Sequence, residues 1–197
     1  MGGSKDATPY ERFKGKGLYP VEYASMLLNP LRHLVSPTWL IVRRLGLKPT
    51  DRVLEIGCGP GYFSPAVART VPRGTLVLFD FQAGMLDMAE ARLKRRGRSN
   101  YERREGDAKA LPFADASFDV AFMVTVLGEV GGAEAALREA ARVLKSGGRL
   151  SITEMFGDPD FVERDDLKRL AADAGLAFEG NFGPRFFYTC NFLKPAA

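Results

Sequence analysis

Between Val53 and Phe63 the chain reads VLEIGCGPGYF, an apolar run that passes through one acid into glycines at positions 57, 59 and 61. Glycine takes positive φ at little cost and lets another group approach the backbone closely. Val53, Leu54 and Ile56 therefore read as a short buried strand, and Gly57 to Gly61 as the turn into a helix. A dinucleotide site uses such a turn with the spacing G-x-G-x-x-G, whose third glycine permits close packing of helix on strand. Here Gly61 comes one residue early and Tyr62 stands where that pattern needs glycine. The spacing G-x-G-x-G argues against NAD. A glycine turn without any ligand remains the alternative on this motif alone.

Downstream of this turn the chain alternates strands with helices. TLVLFD (Thr75 to Asp80) is a second buried strand, reached through a helix that begins near Tyr62 and stops before Pro72 and Gly74. GMLDMAEARLKRRG is helical, with Met85, Leu86, Met88, Ala89 and Leu93 as its apolar stripe and Gly97 as its end. YERREG and FDVAFMVTVL are further strands, and EAALREAARVLKSGGRLSITEM predicts a helix, a Gly147-Gly148 turn and another strand. DDLKRLAADAGL is one more helix, and the segments around Gly183-Pro184 predict a closing hairpin at the sheet edge. Strands separated by helices of this length imply right-handed crossovers and a mainly parallel, doubly wound α/β sheet.

In such sheets ligands sit outside the carboxyl ends of the strands. Glu55 stands just before the tip of the first strand, Asp80 ends the second, and Asp107 comes just after YERREG. Three carboxylates on one crevice would repel a pyrophosphate and attract a ligand that carries an ammonium and a sulfonium. Asp80, about twenty residues beyond the glycines, is placed to accept hydrogen bonds from both hydroxyls of a ribose. This chemistry points to S-adenosyl-L-methionine, leaving S-adenosyl-L-homocysteine as product.

The stretches VLEIGCGPG, LFDFQAGML, EGDAKALPFADASFDVAF and EAARVLKSGGRLSITE occur in the order and at the spacings of class I S-adenosylmethionine-dependent methyltransferases, and over about residues 40 to 197 the chain resembles that family. The nearest resemblance is to the small-molecule methyltransferases that include the ubiquinone/menaquinone C-methyltransferases, of the methyltransferase type 11 group. It implies a Rossmann-like, doubly wound seven-stranded sheet of order 3-2-1-4-5-7-6 with strand 7 antiparallel. It also implies that Gly57, Cys58, Gly59 and Gly61 line the methionine end of the cofactor and that Glu55 reaches its amino group. Asp80 would bind the ribose with Phe81 and Met85 near the adenine, and Gly106, Asp107 and Ala108 would flank the ring, Asp107 taking its amino group.

Relatives often carry histidines after the fourth strand, where this chain has VTVLGEVGG. That leaves Glu129 as a candidate acid or base and Thr125 as a candidate cofactor or substrate contact. The bland reading of Glu129 is a helix-entry acid favoured by the dipole. Methyl transfer from an activated sulfonium can draw much of its rate from orientation alone, and a base is needed only where the nucleophile holds a proton of high pKa. The missing histidines also leave open a cofactor-binding relative without catalysis.

Residues 1–45 read as a helical N-terminal lid and 46–197 as the cofactor-binding domain. The lid segment GLYPVEYASMLLNPLRHLVSPTWLIVRRLGL holds two apolar helical patterns, with Ser36-Pro37 as N-cap and first residue of the second. Tyr19 and His33 are candidate acceptor contacts, His33 because its titration range suits proton transfer. The alternative is that these helices only cover apolar sheet surface.

The composition removes several other classes. Two cysteines, Cys58 and Cys190, and the single His33 cannot assemble the usual zinc sets, so no metal is expected. No apolar run reaches the ~20 residues of a bilayer span and the start lacks a signal-peptide core, which makes the cytoplasm the default location. An apolar, membrane-associated acceptor is compatible with the lid. The net charge of +4 is mild. Lys94, Arg95, Arg96, Arg98, Arg103 and Arg104 form a basic stretch that an RNA methyltransferase or binding module could use. The favoured reading is solvated cations at a helix C-terminus, without the interleaved aromatics of single-strand binding. The expected partner is a small-molecule methyl acceptor.

Overall fold

The computed structural model of the chain describes residues 19–28 and 36–196. Seven strands form one sheet: β1 (Arg52–Ile56), β2 (Thr75–Asp80), β3 (Tyr101–Glu105), β4 (Phe118–Val124), β5 (Leu144–Met155), β6 (Ala177–Phe182) and β7 (Phe187–Leu193). Their order is β3-β2-β1-β4-β5-β7-β6. The ladders from β3 across to β5 are parallel, and β7 runs antiparallel to both β5 and β6. This is the topology that the resemblance implies. The helices among the described residues are α1 (Thr38–Leu45), α2 (Ser64–Thr70), α3 (Ala83–Arg95), α4 (Ala133–Val143) and α5 (Arg164–Asp173), with 3-10 segments at Val21–Leu28 and Leu127–Glu129.

The central strands read as unbroken apolar runs because both faces are covered. Leu54, Ile56, Val77, Phe79, Ala121 and Met123 point to the layer of α4 and α5, where Leu137, Ala140, Leu167 and Ala171 meet them. Val53, Leu76, Leu78, Val120 and Phe122 alternate to the other face and pack with Ile41, Val67, Leu86 and Leu93 of α1, α2 and α3. The strand order reverses between β1 and β4, and the crevice that this creates lies outside their carboxyl ends.

Two boundaries differ from the expectations of the sequence. Ser36 does not cap α1: the helix starts at Thr38 with Pro37 as its N-cap and no side-chain cap bond. Ser36 is instead buried, and its carbonyl accepts a 3.2 Å hydrogen bond from Tyr62 Oη. The Gly147-Gly148 pair is not a turn ahead of β5. The strand begins at Leu144, and the glycines form an irregularity inside it, between the pairs Phe118↔Leu144 and Val120↔Arg149. Gly147 N–H donates to the Lys194 carbonyl and Lys194 N–H to the Gly148 carbonyl, so both backbones stay in the ladder. The closing hairpin lies at the sheet edge as expected, with β6 outermost and β7 between it and β5.

Candidate active site

The crevice encloses about 1100 Å³ and is lined by the tips of β1 to β5 and by residues of Val21–Leu28. Ligand pockets generally span about 300–1000 Å³, so cofactor and acceptor fit together. On β1, Glu55 is 2% exposed and accepts a 2.6 Å hydrogen bond from Ser64 Oγ at the start of α2. Burial pushes its carboxyl up to about 8, with the charge of Asp80 adding and the Ser64 bond opposing. An acid held in this way fits an ammonium, which would restore the charged form by pairing with it.

The glycine turn hangs from the tip of β2. Gly57 and Cys58 N–H both donate to the Phe79 carbonyl, at 2.8 and 3.1 Å. Gly59 N–H donates to Asp80 Oδ2 at 2.8 Å and Gln82 N–H to Oδ1 at 3.0 Å. Burial raises the Asp80 carboxyl while the amides of Gln82, Gly59 and Phe81 oppose it. Gly57 takes φ +68°, and a Cβ there would stand 2.5 Å from Val126 Cγ2, so side-chain packing and conformation both require glycine.

Of the residues expected at the cofactor, Glu55, Gly57, Cys58, Gly59, Asp80, Phe81, Met85, Gly106, Asp107, Ala108 and Thr125 line the crevice. Gly61 does not. It takes φ +77°, and a Cβ there would stand 2.7 Å from Ala89 Cα, so Gly61 serves the close approach of the loop to α3. Asp107 accepts from Lys109 N–H at 2.9 Å and faces Lys109 Nζ at 3.4 Å. Thr125 adopts φ +52°, an unusual conformation for a β-branched residue, and its N–H donates to the Thr153 carbonyl at 2.8 Å. Such strain concentrates at functional sites.

Of the three catalytic candidates, Glu129 and Tyr19 line the crevice, while His33 lies outside the described residues. Glu129 ends the 3-10 turn Leu127–Glu129 and stands ahead of α4, which begins only at Ala133 after Gly132 at φ +120°. Burial pushes its carboxyl up to about 8, Asp158, Asp160 and Asp80 add to the rise, and the Tyr19 amide opposes it. Gln82 Nε2 donates to the Tyr19 carbonyl at 2.8 Å, so Tyr19 is held from both sides of the crevice. The expected N-terminal segment divides accordingly. Tyr23, Met26 and Leu27 line the crevice, whereas Ile41, Val42 and Leu45 of α1 are buried in the core.

With this geometry the comparisons with known proteins agree. Residues 53–148 match the family described as "Methyltransferase domain". The chain is 39% identical over 133 residues to the ubiquinone/menaquinone biosynthesis C-methyltransferase UbiE of Xanthomonas oryzae pv. oryzae, covering 65% of this chain and 53% of that protein. It is 34% identical over 114 residues to the demethylmenaquinone methyltransferase of Lactobacillus johnsonii, covering 57% of this chain and 47% of that protein. The fold superposes on the crystal structure of a SAM-dependent methyltransferase from Aquifex aeolicus with a TM-score of 0.83 at 20% identity, over 90% of this chain and 100% of that one. Over the matched segment the chain is similar to class I S-adenosylmethionine-dependent methyltransferases, and it shares their fold. It spans about half the length of the curated relatives it matches.

In and around the crevice are further residues that the motifs did not reveal. Ser64 and Gln82 act through hydrogen bonds to Glu55 and Tyr19. Asp158 and Asp160, in FGDPDF at the tip of β5, line the crevice beside Glu129. The strand-tip rule that found Asp80 and Asp107 would have found them if carried on to the fifth strand. Among the described residues no group of three or more His, Cys, Asp or Glu side chains is placed to hold a metal ion, and no helix is long and apolar enough to cross a membrane. In the basic stretch, Lys94 pairs with Glu90 at 3.1 Å and Arg103 with Asp87 and Glu90 at 2.7 and 3.1 Å, so two of its six cations are already engaged by acids of α3.

Proposed function

We propose that the chain transfers a methyl group from S-adenosylmethionine to a small-molecule acceptor bound in the same crevice. The observation that carries this reading is the pair of buried carboxylates Glu55 and Asp80 on adjacent strand tips, facing one cavity of about 1100 Å³. Glu55 would pair with the amino group of the cofactor, Asp80 would accept from its ribose hydroxyls, and Asp107 would reach the adenine. When bound, the cofactor supplies a methyl group already activated on a sulfonium. The chain's part is then to orient the acceptor in line and exclude water, and orientation of this kind can contribute several kcal/mol.

Tyr19 to Leu28 would act as the lid over the acceptor side, tethered through Gln82 and Glu129, while α1 belongs to the packed sheet. The relatives named for ubiquinone and menaquinone methylation support a small organic acceptor. Incubation with radiolabelled S-adenosylmethionine and a panel of small acceptors, beside a calorimetric titration with S-adenosylhomocysteine, tests the reading. Product binding together with methyl transfer supports an enzyme. Binding without transfer to any acceptor would instead mark a non-catalytic relative.

A further inference from the structure

The half of the crevice beyond β4 holds carboxylates that the cofactor reading does not use. Glu129 lies just past β4, Asp158 and Asp160 just past β5, and all three line the cavity. Glu154, near the end of β5, is 1% exposed, and its Oε1 has no hydrogen-bond partner among the described residues. Asp158 and Glu129 are the charged side chains acting on it and the Val162 amide opposes them, so Glu154 lies behind the lining rather than in it. Lys109 is the one cation among the described residues of the lining, and it is engaged by Asp107 at 3.4 Å and the Gly131 carbonyl at 3.3 Å. We propose that this acidic half recognises the methyl acceptor through a cationic nitrogen, so that the acceptor is a primary or secondary amine carried on an apolar body.

The proposal rests on the crevice being a methyltransferase site and adds the class of acceptor. The sheet order divides the space: β1, β2 and β3 carry the cofactor carboxylates on one side, which leaves the tips of β4 and β5 for the acceptor. Like charges crowded in a low-dielectric pocket disfavour one another's ionised forms. Burial first, and the neighbouring acids second, push both Glu129 and Glu154 up to about 8. An ammonium brings up to three donors and one positive charge to such a cluster, removing the repulsion. The remaining wall is apolar, with Met26, Leu27, Val126, Val130 and Met155, and suits an alkyl or aryl body.

The transfer balances with groups already present. An N–H bond of the ammonium breaks and its proton passes to the Glu129 carboxylate. The freed lone pair on nitrogen forms the new N–C bond as the methyl–sulfur bond breaks, its electron pair returning to sulfur to give the thioether. Glu129 then returns the proton to solvent.

The test pairs each alkyl or arylalkyl amine with the alcohol of the same carbon skeleton, titrated into the S-adenosylhomocysteine-loaded protein and offered as acceptors with S-adenosylmethionine. The expected result is methylated amines, with amine binding at least about tenfold tighter than the matched alcohol, in line with a charge-assisted hydrogen bond. Glu129→Gln and Asp160→Asn should each raise the amine KM by about tenfold or more while leaving the affinity for S-adenosylhomocysteine within about twofold. Two results would overturn the proposal: alcohols or demethylated quinols accepted as well as amines, or no amine in the panel bound by protein that does bind S-adenosylhomocysteine. Failure to bind S-adenosylhomocysteine would instead bring down the methyltransferase reading itself. The amine–alcohol comparison uses the unaltered chain, so it decides the matter even where a variant does not fold.

Discussion

The amide of Gly59 donates a 2.8 Å hydrogen bond to Asp80 Oδ2, tying the glycine loop after β1 to the tip of β2. This one contact both holds the loop open beside Glu55 and fixes the carboxylate with lone pairs left for a ligand. Asp80→Ala should therefore weaken cofactor binding through two lost charge-assisted hydrogen bonds, each on the order of 1.5–3 kcal/mol. Calorimetry with S-adenosylhomocysteine checks this, and an unchanged dissociation constant would remove Asp80 from the site.

Glu55 links pH to stability. Its carboxyl is raised from 4.5 to about 8 in the folded chain by burial and by Asp80, against the Ser64 bond. A folded-state value above the unfolded one means that the stabilisation is complete below the unfolded value and is lost as pH rises through the folded one. The thermal midpoint of the ligand-free protein should fall between about pH 4.5 and pH 8, and Glu55→Gln should flatten part of that fall. Glu129 and Glu154, raised to about 8 as well, add to the fall, as does Asp80, which burial also raises. Scanning calorimetry across this range decides the point, and a midpoint that rises with pH would contradict it.

Gly61→Ala should destabilise the fold by several kcal/mol, because the new Cβ would stand 2.7 Å from Ala89 Cα at φ +77°. Gly59 has a similar conformation, φ +52°, with nothing within 4 Å of its missing Cβ. Gly59→Ala should accordingly cost only about 1–2 kcal/mol of stability. Urea unfolding of the two variants would test the contrast, and equal losses would contradict the packing role given to Gly61.

Much of the site was legible in the sequence because it is local. The apolar run into GCGPG fixes strand and turn, and the rule that ligands sit at strand tips finds Glu55, Asp80 and Asp107. What escaped depends on contacts distant in sequence. Nothing near Gly61 says that Ala89 will lie against it, and nothing near Ser36 says that Tyr62 will bind its carbonyl. The Gly147-Gly148 pair reads as a turn because its ladder partner, Lys194, comes from the other end of the domain. Glu129 reads as a helix entry until Gly132 is seen to delay the helix.

Two truncations separate lid from core. Deleting residues 1–28 should leave a folded chain that binds S-adenosylhomocysteine but loses most methyl transfer, since Tyr19 to Leu28 border the crevice and contribute only Ala24 and the half-buried Leu28 to the core. Deleting residues 1–45 also removes Ile41, Val42 and Leu45, all buried. At about 1.5–3 kcal/mol per buried aliphatic side chain this loss approaches the whole stability of a domain, and the protein should unfold. Circular dichroism with a transfer assay checks both, and full activity in the shorter deletion would refute the lid.

The most direct test of the account is an equilibrium titration of the unaltered chain with S-adenosylhomocysteine, run in parallel with NAD. The G-x-G-x-G spacing and the carboxylates Glu55 and Asp80 predict saturable one-to-one binding of S-adenosylhomocysteine and none of NAD. Binding of NAD without binding of S-adenosylhomocysteine would contradict it.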